Sequence, residues 1–87
     1  MQFDQIVRAS DVSFNEGVLR LAAVHGRRVE FRYSKHDDAP IEARSFVPES
    51  VNRTREGNVV IIGPDEDRNG EYRSYRLDRI KGEVGIA

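Results

Sequence analysis

The feature that most restricts this chain is a change of hydrophobic period at Gly26. Upstream, Phe14, Val18, Leu21, Ala22 and His25 recur at helical spacing. Downstream, Val29, Phe31 and Tyr33 alternate with Arg28, Glu30 and Arg32, which puts apolar and charged side chains on opposite faces of a strand. A glycine between the two regimes supplies the left-handed residue that ends a helix. The start is read at Ser13, because Ser13-Phe14-Asn15-Glu16 has the S-x-x-E form of a capping box. The spacing therefore predicts one helix over residues 13–25. Residues 1–12 form a leader, either a short strand or a loosely packed segment, in which Phe3, Ile6 and Val7 show no clear period.

Beyond Tyr33 the polar stretch 34–42 reads as a hairpin connection into a second strand over residues 43–47, stopped by Pro48. Residues 52–57 are a turn, and Val59-Val60-Ile61-Ile62 is β-branched enough for a buried central strand that Gly63-Pro64 ends. A polar loop with an Asn69-Gly70 turn signal leads into residues 72–77, with Arg73, Tyr75 and Leu77 on one face. Ile80, Val84 and Ile86 mark a short last strand. One helix followed by about five short antiparallel strands, roughly 8–14 residues apart, predicts a mostly β fold. The expected architecture is a small five-stranded SH3-like or Sm-like barrel, with residues 13–87 as its single domain.

Eighty-seven residues with a net charge of -1 exclude a two-domain enzyme and a generally basic nucleic-acid coat. With no cysteine there is no disulfide framework, thiolate catalysis or Cys-ligated metal. No apolar run approaches the ~20 residues that span a membrane, and Met1-Gln2-Phe3-Asp4-Gln5 lacks a targeting signature, so a cytoplasmic location is expected. His36 beside Asp37 and Asp38 is too local a set for a metal site, and His25 complements the helix dipole. Asp65-Glu66-Asp67 lacks the glycine and distal glutamate of a calcium loop and reads as a solvated turn. Neither a P-loop nor a hydrolase motif occurs, so no enzymatic activity and no cofactor are expected. The β-branched surface of residues 59–62 and 80–86 exceeds what a three-turn helix covers, and open strand edges attract pairing, so a homodimer is expected.

Three spaced pieces resemble the WYL domain, an Sm-like barrel that usually follows a helix-turn-helix in bacterial transcription regulators. Leu19 to Gly26 with Arg28-Val29-Glu30-Phe31-Arg32-Tyr33-Ser34 looks like the family's helix, glycine and first strand. Arg44-Ser45-Phe46-Val47-Pro48-Glu49-Ser50-Val51 is similar to its Arg-x-apolar-x-Pro-x-x-Leu segment, and Arg73-Ser74-Tyr75-Arg76-Leu77-Asp78-Arg79-Ile80 to its Arg-x-Phe-Arg-Leu-Asp-Arg-Ile segment. The resemblance covers about residues 18–86. The Trp-Tyr-Leu that names the family falls on Val59-Val60-Ile61, which keeps apolar character and loses both rings. About twelve residues precede the helix, too few for a DNA-reading helix pair, so the resemblance implies a free-standing WYL domain of bacterial or phage origin.

Twelve of the fourteen basic residues are Arg, a bias that a GC-rich genome also produces, so placement matters more than count. Arg73 lies at one end of the row containing Tyr75 and Leu77, where it binds a ligand anion or a structural carboxylate; Arg79 is assigned to structural pairing. Tyr33 and Ser34 close the first strand while Arg44 opens the second, and the resemblance implies a ligand surface at these positions. Tyr33 also reads as a core aromatic and Ser34 as a turn residue. The candidate ligand-binding set is Tyr33, Ser34, Arg44, Arg73 and Arg76. Two functions fit: a non-enzymatic regulatory module recognising an anionic ligand, either a nucleotide or single-stranded nucleic acid, or a protein-interaction module that binds or competes with a transcription regulator and contacts no nucleic acid.

Overall fold

The structure, a computed structural model, describes residues 3–65 and 68–87, with side chains from residue 12 onward. Helix α1 (Phe3–His25) is followed by strands β1 (Val29–Tyr33), β2 (Glu42–Phe46), β3 (Ser50–Arg53), β4 (Val59–Asp65) and β5 (Glu71–Arg76). A 3-10 turn at Leu77–Arg79 then leads into β6 (Ile80–Ile86). The strands form two three-stranded antiparallel sheets, β2-β1-β6 and β3-β4-β5. Among the described residues there are thus six strands rather than five, and the sheets do not close into a barrel.

The helix is longer than the capping box implied. Phe3 to Val12 contains neither glycine nor proline, so nothing in the sequence breaks a helix there. Ser13 lies mid-helix and exposed rather than at a cap, and the leader is helix back to Phe3. Glu16 instead pairs with Arg20 at 2.9 Å, one turn on. The expected end is correct. Gly26 has φ 62, the Arg27 N–H donates to the Ala22 carbonyl at 2.9 Å, and the Gly26 N–H to that of Ala23, which together make a Schellman motif.

The packed face of α1 also differs from the expected stripe. Phe14 and Leu21 are 49% and 55% exposed, whereas Asn15, Leu19 and Ala22 are buried and Val18 packs against the core. Asn15 explains the rotation. Strand β6 carries a bulge opposite Phe31, where the register moves from Arg32↔Lys81 to Glu30↔Gly85. Within it, the Asn15 carboxamide donates to the Gly82 carbonyl at 2.9 Å and accepts the Val84 N–H at 2.8 Å. The carboxamide thus serves as donor and acceptor at once, and an apolar residue in its place would leave the buried Val84 N–H unpaired. The helix packs against both β6 and β3, so it bridges the two sheets along their open side.

Between the sheets the core is aromatic. Phe31, Tyr33 and Phe46 of the first sheet all meet Tyr75 of the second, with ring centroids 5.0–5.2 Å apart in edge-to-face contact. The in–out alternation of Val29, Phe31 and Tyr33 is as the sequence predicts. Strand β3 has no alternating pattern and is recruited by a turn in which the Thr54 carbonyl accepts the Gly57 N–H and the Thr54 N–H donates to the Asn58 carbonyl. Strand β4 continues through Gly63-Pro64. Beyond Ile62 it has only β5 as a neighbour, so the missing Pro64 N–H forfeits no ladder bond to β3. Gly63 is required there, since a Cβ would strike the Val47 carbonyl and the Pro48 backbone. Asn69 and Gly70 both have positive φ, as their turn signal requires. Glu66 and Asp67 of that loop lie outside the described residues.

Replacing Asn15 with Ala strands the buried Val84 N–H, at about 1–3 kcal/mol for an unsatisfied group. Thermal unfolding should show that loss, while Ser13→Ala stays within about 0.5 kcal/mol of wild type, as an exposed mid-helix site allows. Equal effects of the two substitutions would contradict the helix register described here.

Candidate functional site

Where the end of β1 meets β5 and the 3-10 turn, a cleft of about 310 Å³ is lined by Tyr33, Lys35, Arg44, Arg73, Ser74, Tyr75 and Arg79. Each cation arrives from a different element: Lys35 from the loop after β1, Arg44 from β2, Arg73 from β5 and Arg79 from the 3-10 turn. The loop and the turn are tied together by the Ser34 N–H donating to the Arg79 carbonyl at 3.2 Å. Among the described residues no acidic side chain lines the cleft. Arg44 pairs with Glu42 at 3.3 Å, whereas Lys35, Arg73 and Arg79 form no ion pair with any described carboxylate. Arg73 sits 6.0 Å from the centroid of the Tyr75 ring.

Tyr33 and Tyr75 floor the cleft from inside the aromatic core, and both rings are buried. The Tyr75 hydroxyl donates to the buried Asp65 carboxylate at 3.3 Å, and the Tyr33 hydroxyl accepts the Arg76 N–H at 3.2 Å. Burial pushes the Tyr75 phenol up from its ordinary value and the Asp65 charge adds to this, while Arg73 and Arg44 draw it back. The Tyr75 phenol therefore remains neutral at physiological pH and presents a polar atom without charge.

Of the five residues expected from sequence, the cleft brings together Tyr33, Arg44 and Arg73. Ser34 is buried, with its hydroxyl 2.6 Å from the His36 carbonyl and 3.0 Å from the Ala39 carbonyl and one proton to donate between them, so it holds the loop and does not line the cleft. Arg76 is also elsewhere. Strand parity sends it away from Tyr75, and its guanidinium binds Asp78 at 2.6 Å and Asn58 at 3.1 Å. Arg79 corrects the expectation in the other direction, since it enters the cleft rather than a structural pair. The 3-10 turn causes this by breaking the two-residue alternation after Arg76. Lys35 was missed because a single loop lysine carries no pattern. Among the described residues no group of three or more His, Asp or Glu side chains is placed to hold a metal ion, and no helix is long and apolar enough to cross a membrane.

The Arg76 hydrogen bond holds the Asp78 carboxyl below the usual carboxylate range, with help from the Arg76 and Arg79 charges. A depressed folded value gives stability that is present above the unfolded value of about 3.9 and is lost as pH falls through the folded one. Urea unfolding should therefore find Asp78→Asn less stable than wild type at pH 6, with the difference closing toward pH 2. A difference that persists in acid would mean Asp78 acts by something other than its charge.

The family model described as WYL domain matches residues 16–83, most of the chain. No curated protein matches the chain. The matched span begins within α1 and ends in β6, so it contains every residue that lines the cleft.

Proposed function

This chain belongs to the WYL domain family, and on that premise we propose that it is a non-enzymatic regulatory module that recognises an anionic ligand, a nucleotide or single-stranded nucleic acid, at the arginine-lined cleft. WYL domains are generally ligand-sensing regulatory domains of cytoplasmic regulators, and they are not a catalytic family. We read this chain in the same way, as a cytoplasmic protein of a bacterium or phage acting in transcription control. The observation that supports the cleft as its site is the set of three cations, Lys35, Arg73 and Arg79, held together without a described carboxylate partner. Like charges gathered in this way repel one another, and an anion relieves that repulsion. Arginine suits the task because its planar fork meets phosphate oxygens in pairs.

Arg73→Ala and Arg44→Ala are each expected to weaken a bound nucleotide or oligonucleotide by about 1.5–3 kcal/mol, the range for hydrogen bonds to charged groups. Arg76→Ala should bind as wild type. For a single strand, removing one cation that meets a phosphate should also lower the slope of log affinity against log salt by about 0.7. Normal binding by both Arg44→Ala and Arg73→Ala, measured by titration at low and moderate salt, would remove the cleft from the function.

A second reading, a protein-interaction module, is favoured by the outer face of α1. Phe14, Gly17, Leu21 and Val24 follow one another at spacings of three, four and three, the seam of a helix pair. Phe14, Leu21 and Val24 are 49%, 55% and 79% exposed. Gly17 costs the helix interior about 1 kcal/mol relative to Ala, yet a Cβ there would meet nothing of this chain. A second copy of α1 crossing at Gly17 accounts for that glycine, with Phe14 and Leu21 on either side matching the self-complementarity of a two-fold axis. The homodimer would then form through this helix face rather than through strand edges. Light scattering at micromolar concentration should give about twice 9.9 kDa, and Leu21→Glu should halve the mass. A monomer at every concentration would rule out the homodimer.

A further inference from the structure

The charge in the cleft constrains which part of an anionic ligand enters it. Four cations converge there, and among the described residues only Arg44 has a carboxylate partner, Glu42. The groups facing the space are Lys35 from the loop after β1, Arg44 from β2, Arg73 and Ser74 from β5, Arg79 from the 3-10 turn, and the phenols Tyr33 and Tyr75. Asp65 lies behind Tyr75, bonded to its hydroxyl, and does not line the space. At about 310 Å³ the cleft is at the lower end of small-ligand sites, room for one compact group rather than a run of nucleotides.

The aromatic floor limits the ligand further. Tyr33 and Tyr75 are 7% and 3% exposed, and their surfaces are taken up by each other, Phe31 and Phe46. Base recognition by stacking needs an open ring face, and this cleft has none to offer. Recognition therefore falls to the three cations outside any described ion pair. An internal phosphodiester brings one negative charge to them. A phosphate monoester brings about 1.5–2 at pH 7, with three strong acceptor oxygens, and compensates the cluster more completely.

From this geometry we infer that the cleft takes a terminal phosphate, a phosphate monoester, and is indifferent to the base attached to it. The inference rests on the anion-binding reading above and narrows it. The shared chemistry has three sources, namely a mononucleotide, the phosphorylated end of a strand and free phosphate, and the ligands tested separate them.

Calorimetric titration of the whole chain with one short oligonucleotide, carrying either a 5′-phosphate or a 5′-hydroxyl, tests the inference directly. The phosphorylated form is expected to bind about ten-fold tighter or more, as the gain of one charge-assisted contact implies. AMP and CMP should bind alike, and inorganic phosphate should compete with both. Whichever of oligonucleotide, mononucleotide and phosphate binds tightest identifies the source. Lowering the pH through about 6, where the monoester gains its second proton, should weaken the phosphorylated ligand; no histidine lines the cleft to change charge over that interval. Arg73→Ala should bring the two oligonucleotide affinities closer together. If both oligonucleotides bind equally, or AMP and CMP differ strongly, the terminal-phosphate inference is wrong while anion binding stands. If no nucleotide, oligonucleotide or phosphate binds at low salt, both readings fall together.

Discussion

Tyr75 holds this molecule together. The two sheets share no closed hydrogen-bonded ladder, so their relative position depends on side chains, and the second sheet places the Tyr75 ring at the centre of the first sheet's aromatic group. Three edge-to-face contacts converge on it, each worth about 0.5–1.5 kcal/mol beyond the area buried. Its hydroxyl reaches the buried Asp65 carboxylate. Its neighbour Arg73 lies beside its ring, and Arg44 lies close enough to influence its phenol. The contact that joins the sheets is therefore also the floor of the cationic cleft, and the cleft exists because the sheets meet there.

Asn15 does related work on the other side. By filling the hydrogen-bonding needs of the β6 bulge it fixes the helix against the strand that continues from Arg79. The start of that strand pairs with the end of β1, Ile80 opposite Tyr33, so the loop carrying Lys35 and the turn carrying Arg79 are brought to one place. Residues far apart in sequence are thus positioned by backbone pairing, while the charged heads of Lys35, Arg73 and Arg79 stay outside any described ion pair. For a WYL domain this fits a sensing role: a rigid scaffold, with the charge left available to a ligand.

Much of this was legible in the sequence wherever one residue's environment follows from its neighbours. The alternation of Val29, Phe31 and Tyr33, the left-handed Gly26 and the Asn69-Gly70 turn are local signals and read correctly. The helix start was not, because S-x-x-E serves equally as a polar pair inside a longer helix. The packed helix face was misread because its central residue is polar, and Asn15 is needed only by a bulge 67 residues away. At the site, Tyr33, Arg44 and Arg73 follow from strand position. Parity alone would have removed Arg76, which alternates away from Tyr75. Arg79 and Lys35 depend on a 3-10 turn and a loop, where no periodicity places a side chain.

The central claim is that the cleft holds cations available to an anion while Arg76 is already satisfied by Asp78. Arginine side-chain Nε–H resonances, assigned by substitution and followed by NMR as AMP is added, test it most directly. Arg73 and Arg79 are expected to shift along a saturating curve while Arg76 stays in place. Shifts of equal size at Arg76, or no saturable shift at Arg73 and Arg79, would contradict it.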